Sequence, residues 1–165
     1  MDAGHTKVEF SLGDVMHTMH GSFALKHGDL RFDSLGNASG ELVVDSASGQ
    51  SGSEARDRRM RTRILESARY PEIVLRPDRV EGKVAAQGAS QVVLHGTIEI
   101  HGQTHEVAIL LELEGSDGQF MVTGSFPVPY VKWGMKDPST LFLRVNQTVT
   151  ITIHTLARPA AGIAD

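Results

Sequence analysis

The sequence predicts a mostly β domain, built as an antiparallel sandwich or barrel, with a single helix. Three observations support this fold class: apolar side chains alternate with polar ones, turn-forming sequences separate the alternating runs, and one stretch has helical character. The alternation is clearest in residues 7–12, 107–113 and 141–154 of the 165-residue chain. Period-two alternation of β-branched residues is typical of antiparallel strands that bury one face.

Short turn sequences divide the alternating runs into roughly eight to ten strands. The turns are HGD at His27, LGN at Leu35, HGQT at His101 and SDG at Ser116, since Gly, Asn and Asp adopt turn conformations at low cost. No linker, repeat or low-complexity block interrupts the chain, which favours a single domain over residues 1–165. We expect strands near residues 5–12, 19–26, 29–33, 40–47, 72–85, 90–101, 105–114, 119–127 and 141–156.

Residues 51–69 depart from the alternation and predict the one helix. Ser51 followed by Glu54 fits a capping box, although Ser53 could supply the cap instead. We expect the helix to end at Tyr70-Pro71, because the residue before a proline disfavours helical dihedral angles.

Six of the chain's eleven arginines lie in this stretch, between Arg56 and Arg69. A helical wheel places Arg56 and Asp57 on the face of Met60 and Ile64 and leaves most of the other arginines in solvent. Arg56 and Asp57 are therefore either a partly buried polar pair or two charges at the edge of an amphipathic helix. The face mixes charge signs and lacks the purely basic surface that phosphate contact favours.

Composition and charge narrow the possible function classes. The net charge of −4 disfavours a nucleic-acid partner. The chain has no cysteine, which excludes disulfides, thiolate zinc sites and a cysteine nucleophile. No run approaches the roughly 18 apolar residues of a membrane-spanning helix. The start MDAGHTKVEF is too polar for a signal peptide, so the protein is either cytoplasmic or a mature exported chain with Met1 as an artificial start.

Two segments, GSEARDRRM…ILESARYPEI and VVLHGTIEIHGQTHEVAILLELEG, resemble the YceI-like family of polyisoprenoid-binding bacterial proteins. The resemblance covers about residues 5–156. It implies an extended, lipocalin-like antiparallel β-barrel of about eight strands, with the helix packed against it and an apolar tunnel for an isoprenoid chain. It also implies a periplasmic or secreted protein. The family usually has a DFG-like strand end where this chain has YVKWGMKDPST from Tyr130, so the head group accepted stays open.

A barrel of about eight strands has room inside for one small ligand. Inward-facing strand positions, methionines near the mouth, the helix and one loop supply the expected ligand contacts: Phe10, Met16, Met19, Phe23, Phe32, Met60, Ile64, Ile98, Ile100, Phe120, Val122 and Trp133. The alternative is that these side chains simply fill the core. Trp133, the only tryptophan, is a local packing anchor, a lid over the mouth or a partner contact.

Three polar residues complete the predicted site. Arg56 and Asp57 either brace the helix against the barrel or face the head group, and we favour bracing. His101 is assigned to the same group, as a residue that faces the head group or braces the helix; we favour a rim or surface position, with a hydrogen bond to a ligand hydroxyl as the alternative. We expect no metal, because neither His17 with His20 nor His101 with His105 gives a recognised zinc spacing. No cofactor is expected beyond a bound isoprenoid or other long-chain lipid.

The leading hypothesis is non-enzymatic carriage of an isoprenoid or fatty-chain lipid. A tail of about twenty carbons has a nominal transfer free energy of about 16 kcal/mol, part of which is lost to ordering of tail and protein. One rival is a protein-interaction or stress-related module with a filled barrel. A hydrolase is the other, which the absence of a G-x-S-x-G elbow, a P-loop and a G-x-G-x-x-G motif disfavours. A homodimer stays open.

Overall fold

The computed structural model describes residues 6–13, 18–33, 35–139 and 145–158. In these ranges the chain forms nine strands in one sheet, a short α-helix and a π-helical segment that continues it. The strands are β1 Lys7–Gly13, β2 Thr18–Phe23, β3 Leu25–Phe32, β4 Ala38–Asp45, β5 Glu72–Glu81, β6 Gly88–Ile100, β7 Gln103–Ser116, β8 Gln119–Val128 and β9 Val149–Ala157. The helix α1 spans Glu54–Arg59 and the π-helical segment spans Met60–Ile64. The predicted fold class, an antiparallel β-barrel architecture with one helix, is confirmed.

The sheet has the strand order β2-β1-β9-β8-β7-β6-β5-β4-β3, and every neighbouring pair is antiparallel. It curls strongly into a half-barrel. Its two edge strands, β2 and β3, follow each other in the chain, with only Ala24 between them. The segment after β4 covers the edge of β2: Ser22 and Gln50 exchange two backbone hydrogen bonds of 2.9 Å. Covering an edge in this way removes unpaired backbone groups that would template aggregation.

Alternation sets which side chains face the interior. On β6, Val92, Leu94, Ile98 and Ile100 are 3–6% exposed, while the odd-numbered residues between them have the opposite parity and are half-buried. A register shift between Pro77 and Arg79 on β5 interrupts this pattern. Such a bulge adds one residue to a strand and bends it, which helps the sheet to curl.

The helix is shorter than predicted at both ends. Its N-cap is Ser53, whose Oγ accepts a hydrogen bond of 3.4 Å from the Arg56 backbone N–H, so the Ser51 capping box is wrong. Leu65 N–H donates to Met60 O at 2.8 Å, five residues back. The helical segment stops there because Glu66 has a φ of 48°, a left-handed conformation that no helix continues. Tyr70-Pro71 therefore lies beyond the end of the helix.

The end of the helix is fastened to the β6–β7 turn. His101 Nε2 lies 2.5 Å from a carboxylate oxygen of Glu66, and the rings of Tyr70 and His101 are 4.7 Å apart. Gly102 lies so close to Tyr70 that a Cβ there would stand 2.7 Å from the ring. These contacts hold the helix across one end of the half-barrel.

Candidate functional site

One end of the half-barrel encloses a cavity of about 440 Å³. Ligand sites in proteins commonly measure roughly 300–1,000 Å³, so this space is large enough for part of a lipid tail. Its wall consists of inward side chains from seven strands, the helix and the loop after β8: Val8, Phe10, Leu12, Met19, Phe23, Leu42, Val44, Ser51, Ala55, Arg56, Arg59, Met60, Ile64, Leu65, Ile73, Leu75, Ile98, Ile100, Phe126, Val128, Tyr130, Met135, Pro138, Val145, Val149, Ile151 and Ile153.

The wall is almost entirely apolar, and its polar groups are few. The Tyr130 hydroxyl donates a 2.5 Å hydrogen bond to the Asn146 carbonyl oxygen, so it is already satisfied by the protein. Burial, with a smaller contribution from the Asp137 carboxylate, raises the pKa of Tyr130 to about 12. The phenol therefore stays neutral at ordinary pH. The remaining polar lining residues among those described are Ser51, Arg56 and Arg59.

The solvent-exposed part of the described cavity wall lies on α1. Of the lining residues, only Ala55, Arg56 and Arg59 are exposed, and the others are buried or half-buried. All three belong to α1, so in the part of the chain that the structure describes the cavity wall reaches solvent at this helix.

Close packing of glycines positions the aromatic part of the wall. The rings of Phe10 and Phe23 pack at a tilt, with centroids 5.3 Å apart. A Cβ on Gly21 would stand 2.3 Å from Phe10 Cζ, and one on Gly49 would stand 2.3 Å from Met60 Cε. Small residues at these two positions therefore let Phe10, Phe23 and Met60 form one continuous surface at the helix side of the cavity.

The structure brings eight of the predicted site residues together in this wall: Phe10, Met19, Phe23, Met60, Ile64, Ile98, Ile100 and Arg56. Contact between these side chains and a ligand stays a prediction. Met16 lies outside the described residues.

Three predicted strand contacts lie elsewhere. Phe32, at the last position of β3, is 41% exposed. Phe120 and Val122 share the inward parity of β8, but they lie at the opposite end of that strand from Phe126 and Val128, which line the cavity. Assigning Phe32, Phe120 and Val122 to the cavity wall is therefore corrected: parity gives the face of a strand, whereas the cavity occupies only one end of the barrel.

Trp133 is also absent from the wall. Its ring stacks on that of His105, with centroids 3.9 Å apart and planes within 5°. Its backbone N–H donates to Pro129 O at 3.0 Å, within a turn whose other residues Tyr130 and Met135 do line the cavity. This packing supports a local anchor that orients the turn rather than a lid over the mouth.

Each of the two alternatives for Arg56 and Asp57 holds for one residue, since Asp57 is buried and Arg56 is exposed, and both contact Ser51. Asp57 is 6% exposed and accepts hydrogen bonds from Ser51 N–H at 2.9 Å and Ser51 Oγ at 2.6 Å. Arg56 Nη1 lies 3.3 Å from Ser51 Oγ. Since Gln50, the preceding residue, pairs with Ser22 of β2, Asp57 braces the helix to the sheet only through this segment.

His101 binds Glu66 and packs on Tyr70, and it does not line the cavity. These contacts support helix bracing as the role of His101, and a hydrogen bond from its ring to a ligand hydroxyl stays a prediction. Among the described residues, no group of three or more His, Cys, Asp or Glu side chains is placed to hold a metal ion. No helix in the same ranges is long and apolar enough to span a membrane.

Several wall residues were missed by sequence reasoning for identifiable reasons. Leu75, Phe126 and Val128 carry the same period-two signal as the strand residues that were named, so parity alone could have found them. Tyr130 and Met135 come from a loop, where no periodicity marks the residues that turn inward.

The fold of this chain is similar to that of several solved structures. Among solved structures, the chain is similar to BcnA from Burkholderia cenocepacia, with a TM-score of 0.81, 16% identity, and coverage of 94% of this chain and 98% of that one. A structure described as a polyisoprenoid binding domain from Saccharophagus degradans, implicated in plant cell wall breakdown, has a TM-score of 0.72, 16% identity and 94% coverage of both chains. A YceI protein from Campylobacter jejuni has a TM-score of 0.66, 13% identity and 84% coverage of both chains.

At these identities the structural neighbours establish the fold alone. A comparison with curated proteins finds no significant match. The family profile described as the YceI-like domain matches residues 1–157, nearly the whole chain. The chain therefore belongs to the YceI-like domain family.

Proposed function

We propose that this protein binds the tail of an isoprenoid or other long-chain lipid in the cavity, without catalysis, and carries it. The observation that carries the proposal is the apolar cavity of about 440 Å³ whose solvent-exposed wall lies on α1. The solved domain from Saccharophagus degradans, described as polyisoprenoid-binding, supports the same ligand class.

By the family resemblance we further propose a periplasmic or secreted location, which fractionation of cells that express the native gene would test.

The chemistry of the wall favours affinity for the tail over selection of the head group. Each buried CH₂ contributes about 0.8 kcal/mol, whereas one head-group hydrogen bond adds about 1 kcal/mol net. Ordering of the tail and the wall offsets part of this gain. Affinity is therefore expected to rise with chain length and to tolerate different prenyl and acyl chains.

The polar groups in the wall support binding rather than turnover. Ser51 Oγ donates to the Asp57 carboxylate at 2.6 Å, and the Tyr130 hydroxyl donates to a backbone carbonyl. A serine nucleophile needs a base such as histidine within hydrogen-bond reach. Of the described residues that line the cavity, none is a histidine.

Native mass spectrometry after gentle extraction from cells tests the proposal. We expect a bound prenyl or acyl lipid, and we expect Ile98→Trp to lose it because the larger side chain occupies the cavity. Thr97→Trp is the matched control, since Thr97 neighbours Ile98 on β6 and faces outward. A chain without ligand that takes up no prenyl or fatty-chain lipid, or equal lipid content in both variants, would contradict the proposal.

A further inference from the structure

We propose that this protein docks on an anionic lipid bilayer through the arginine-rich face of α1 and its π-helical extension. This face is formed by the exposed residues Arg56, Arg58, Arg59 and Arg63. Residues 54–69 hold six arginines and three acids, a net charge of +3 within a chain whose net charge is −4. The remainder of the chain therefore carries a net charge of −7. This division of charge would orient the protein with the helix toward a negative surface.

Each of the three acids of this segment has a partner within the protein. Asp57 is buried against Ser51, and Glu66 contacts His101. Glu54 pairs with Arg61 at 3.5 Å.

The other arginines of the segment remain available for an external partner. Arg58, Arg59 and Arg63 are exposed, and none of the three has an acidic partner within the ranges that the structure describes. Arg56 is exposed as well, and its guanidinium hydrogen-bonds only to Ser51 among the described residues.

The position of these arginines favours a bilayer over other polyanions. Arg56 and Arg59 stand at the rim of the cavity, so a surface bound by this face lies where a lipid tail would enter. A flat bilayer can meet this one face without approaching the acidic remainder of the molecule. A long nucleic acid would encounter that remainder, which the net charge disfavours. Delivery of lipid by this contact depends on the proposed function, whereas docking itself does not.

Flotation of the full chain with vesicles tests docking. Phosphatidylcholine vesicles that contain a minor fraction of phosphatidylglycerol should bind the protein, and pure phosphatidylcholine vesicles should not. Raising the salt concentration from about 0.1 M to about 1 M shortens the Debye length from about 10 Å to about 3 Å and should release the protein. Binding that is equal on both vesicle types, or that persists in high salt, would overturn the proposal.

Two matched double variants separate this face from charge in general. Arg58→Gln with Arg63→Gln removes two arginines that do not line the cavity, and should weaken binding about 25-fold, roughly fivefold for each basic residue. Lys7→Gln with Lys83→Gln removes the same charge from exposed positions on β1 and in the β5–β6 connection, and should leave binding unchanged. Equal weakening by both pairs would overturn the proposal, as would retention on duplex DNA combined with a lack of vesicle binding.

A second measurement keeps docking distinct from lipid carriage. Native mass spectrometry should find the same lipid content in the double arginine variant as in the unmodified chain. If neither protein holds lipid while vesicle binding still depends on the arginines, the proposed function fails and docking stands. If both hold lipid and vesicle binding is absent, docking fails and carriage stands.

Discussion

The two ends of the barrel are built from the same strands but packed differently. At the hollow end, Ile98 of β6 and Phe126 of β8 face the cavity. At the filled end, Leu94 and Val122 on the same two strands are buried and do not line the cavity. On β6 and β8 the alternation continues from one end to the other. The difference therefore comes from what closes each end, not from the strand pattern.

The hollow end is closed by irregular segments that line the cavity. There the wall is completed by the helix and by the loop that contains Tyr130 and Met135. Strands of a small barrel otherwise fill its interior with interdigitating side chains. In the middle of β8, a Cβ on Gly124 would stand 2.6 Å from Leu111 Cδ2 and 3.1 Å from Ile109 Cγ2, so a side chain there would have to displace these neighbours.

The largest expected contrast is between two isoleucine truncations. Ile109→Ala removes a side chain that is 1% exposed and outside the cavity wall, and should cost near the upper part of about 2–5 kcal/mol. Ile98→Ala should cost near the lower part of that range, because a side chain beside a void has fewer contacts to lose. Urea unfolding of lipid-free protein measures both, with the outward Thr97→Ala as a control. Equal losses for the two isoleucines would argue against a hollow end.

Substitutions that add volume should also be less harmful beside the cavity than at a packed position. Gly124→Leu inserts a side chain against Leu111 and Ile109, and we expect a loss of about 1–3 kcal/mol in the free energy of unfolding. Ile98→Trp adds more atoms, but it should be tolerated better because it expands into the cavity. The measurement is again urea unfolding, of lipid-free variants compared side by side. If Gly124→Leu proved harmless, the packing around Gly124 would be looser than the side-chain distances indicate.

Strand pattern and turns were enough to predict the fold class, because alternation and Gly-rich turns are local signals. The helix boundaries were not predictable in the same way. Leu65 N–H bonds to Met60 O over five residues, and Glu66 adopts a left-handed φ that is unusual for a residue with a side chain. Both features depend on tertiary contacts at the end of the helix, including the one between Glu66 and His101.

Inward parity identified candidate wall residues without locating the cavity along the barrel axis. Phe120 and Phe126 have the same parity on β8, yet only Phe126 lines the cavity. Which end is hollow depends on a loop and a helix whose positions are set by non-local packing. The same limit explains why Tyr130 and Met135 were missed and why Trp133 was placed in the wall.

The pKa of Tyr130 tests whether water reaches the hollow end of the barrel. Of the predicted changes in stability, this one is the smallest near neutral pH. Burial raises its pKa to about 12 in the folded chain, against about 10 for an unfolded tyrosine. The folded state therefore holds the phenolic proton more tightly, so this group leaves stability unchanged below about pH 10 and lowers it as pH rises toward 12. Tyr130→Phe should remove that slope, and comparing the pH dependence of unfolding in the two proteins cancels other titrating groups. In a Tyr70→Phe background, phenolate absorbance follows Tyr130 alone. Ionisation near pH 10 in the folded protein would mean that water fills the cavity around the ring, and the contrast between a dry hollow end and a packed one would then be lost.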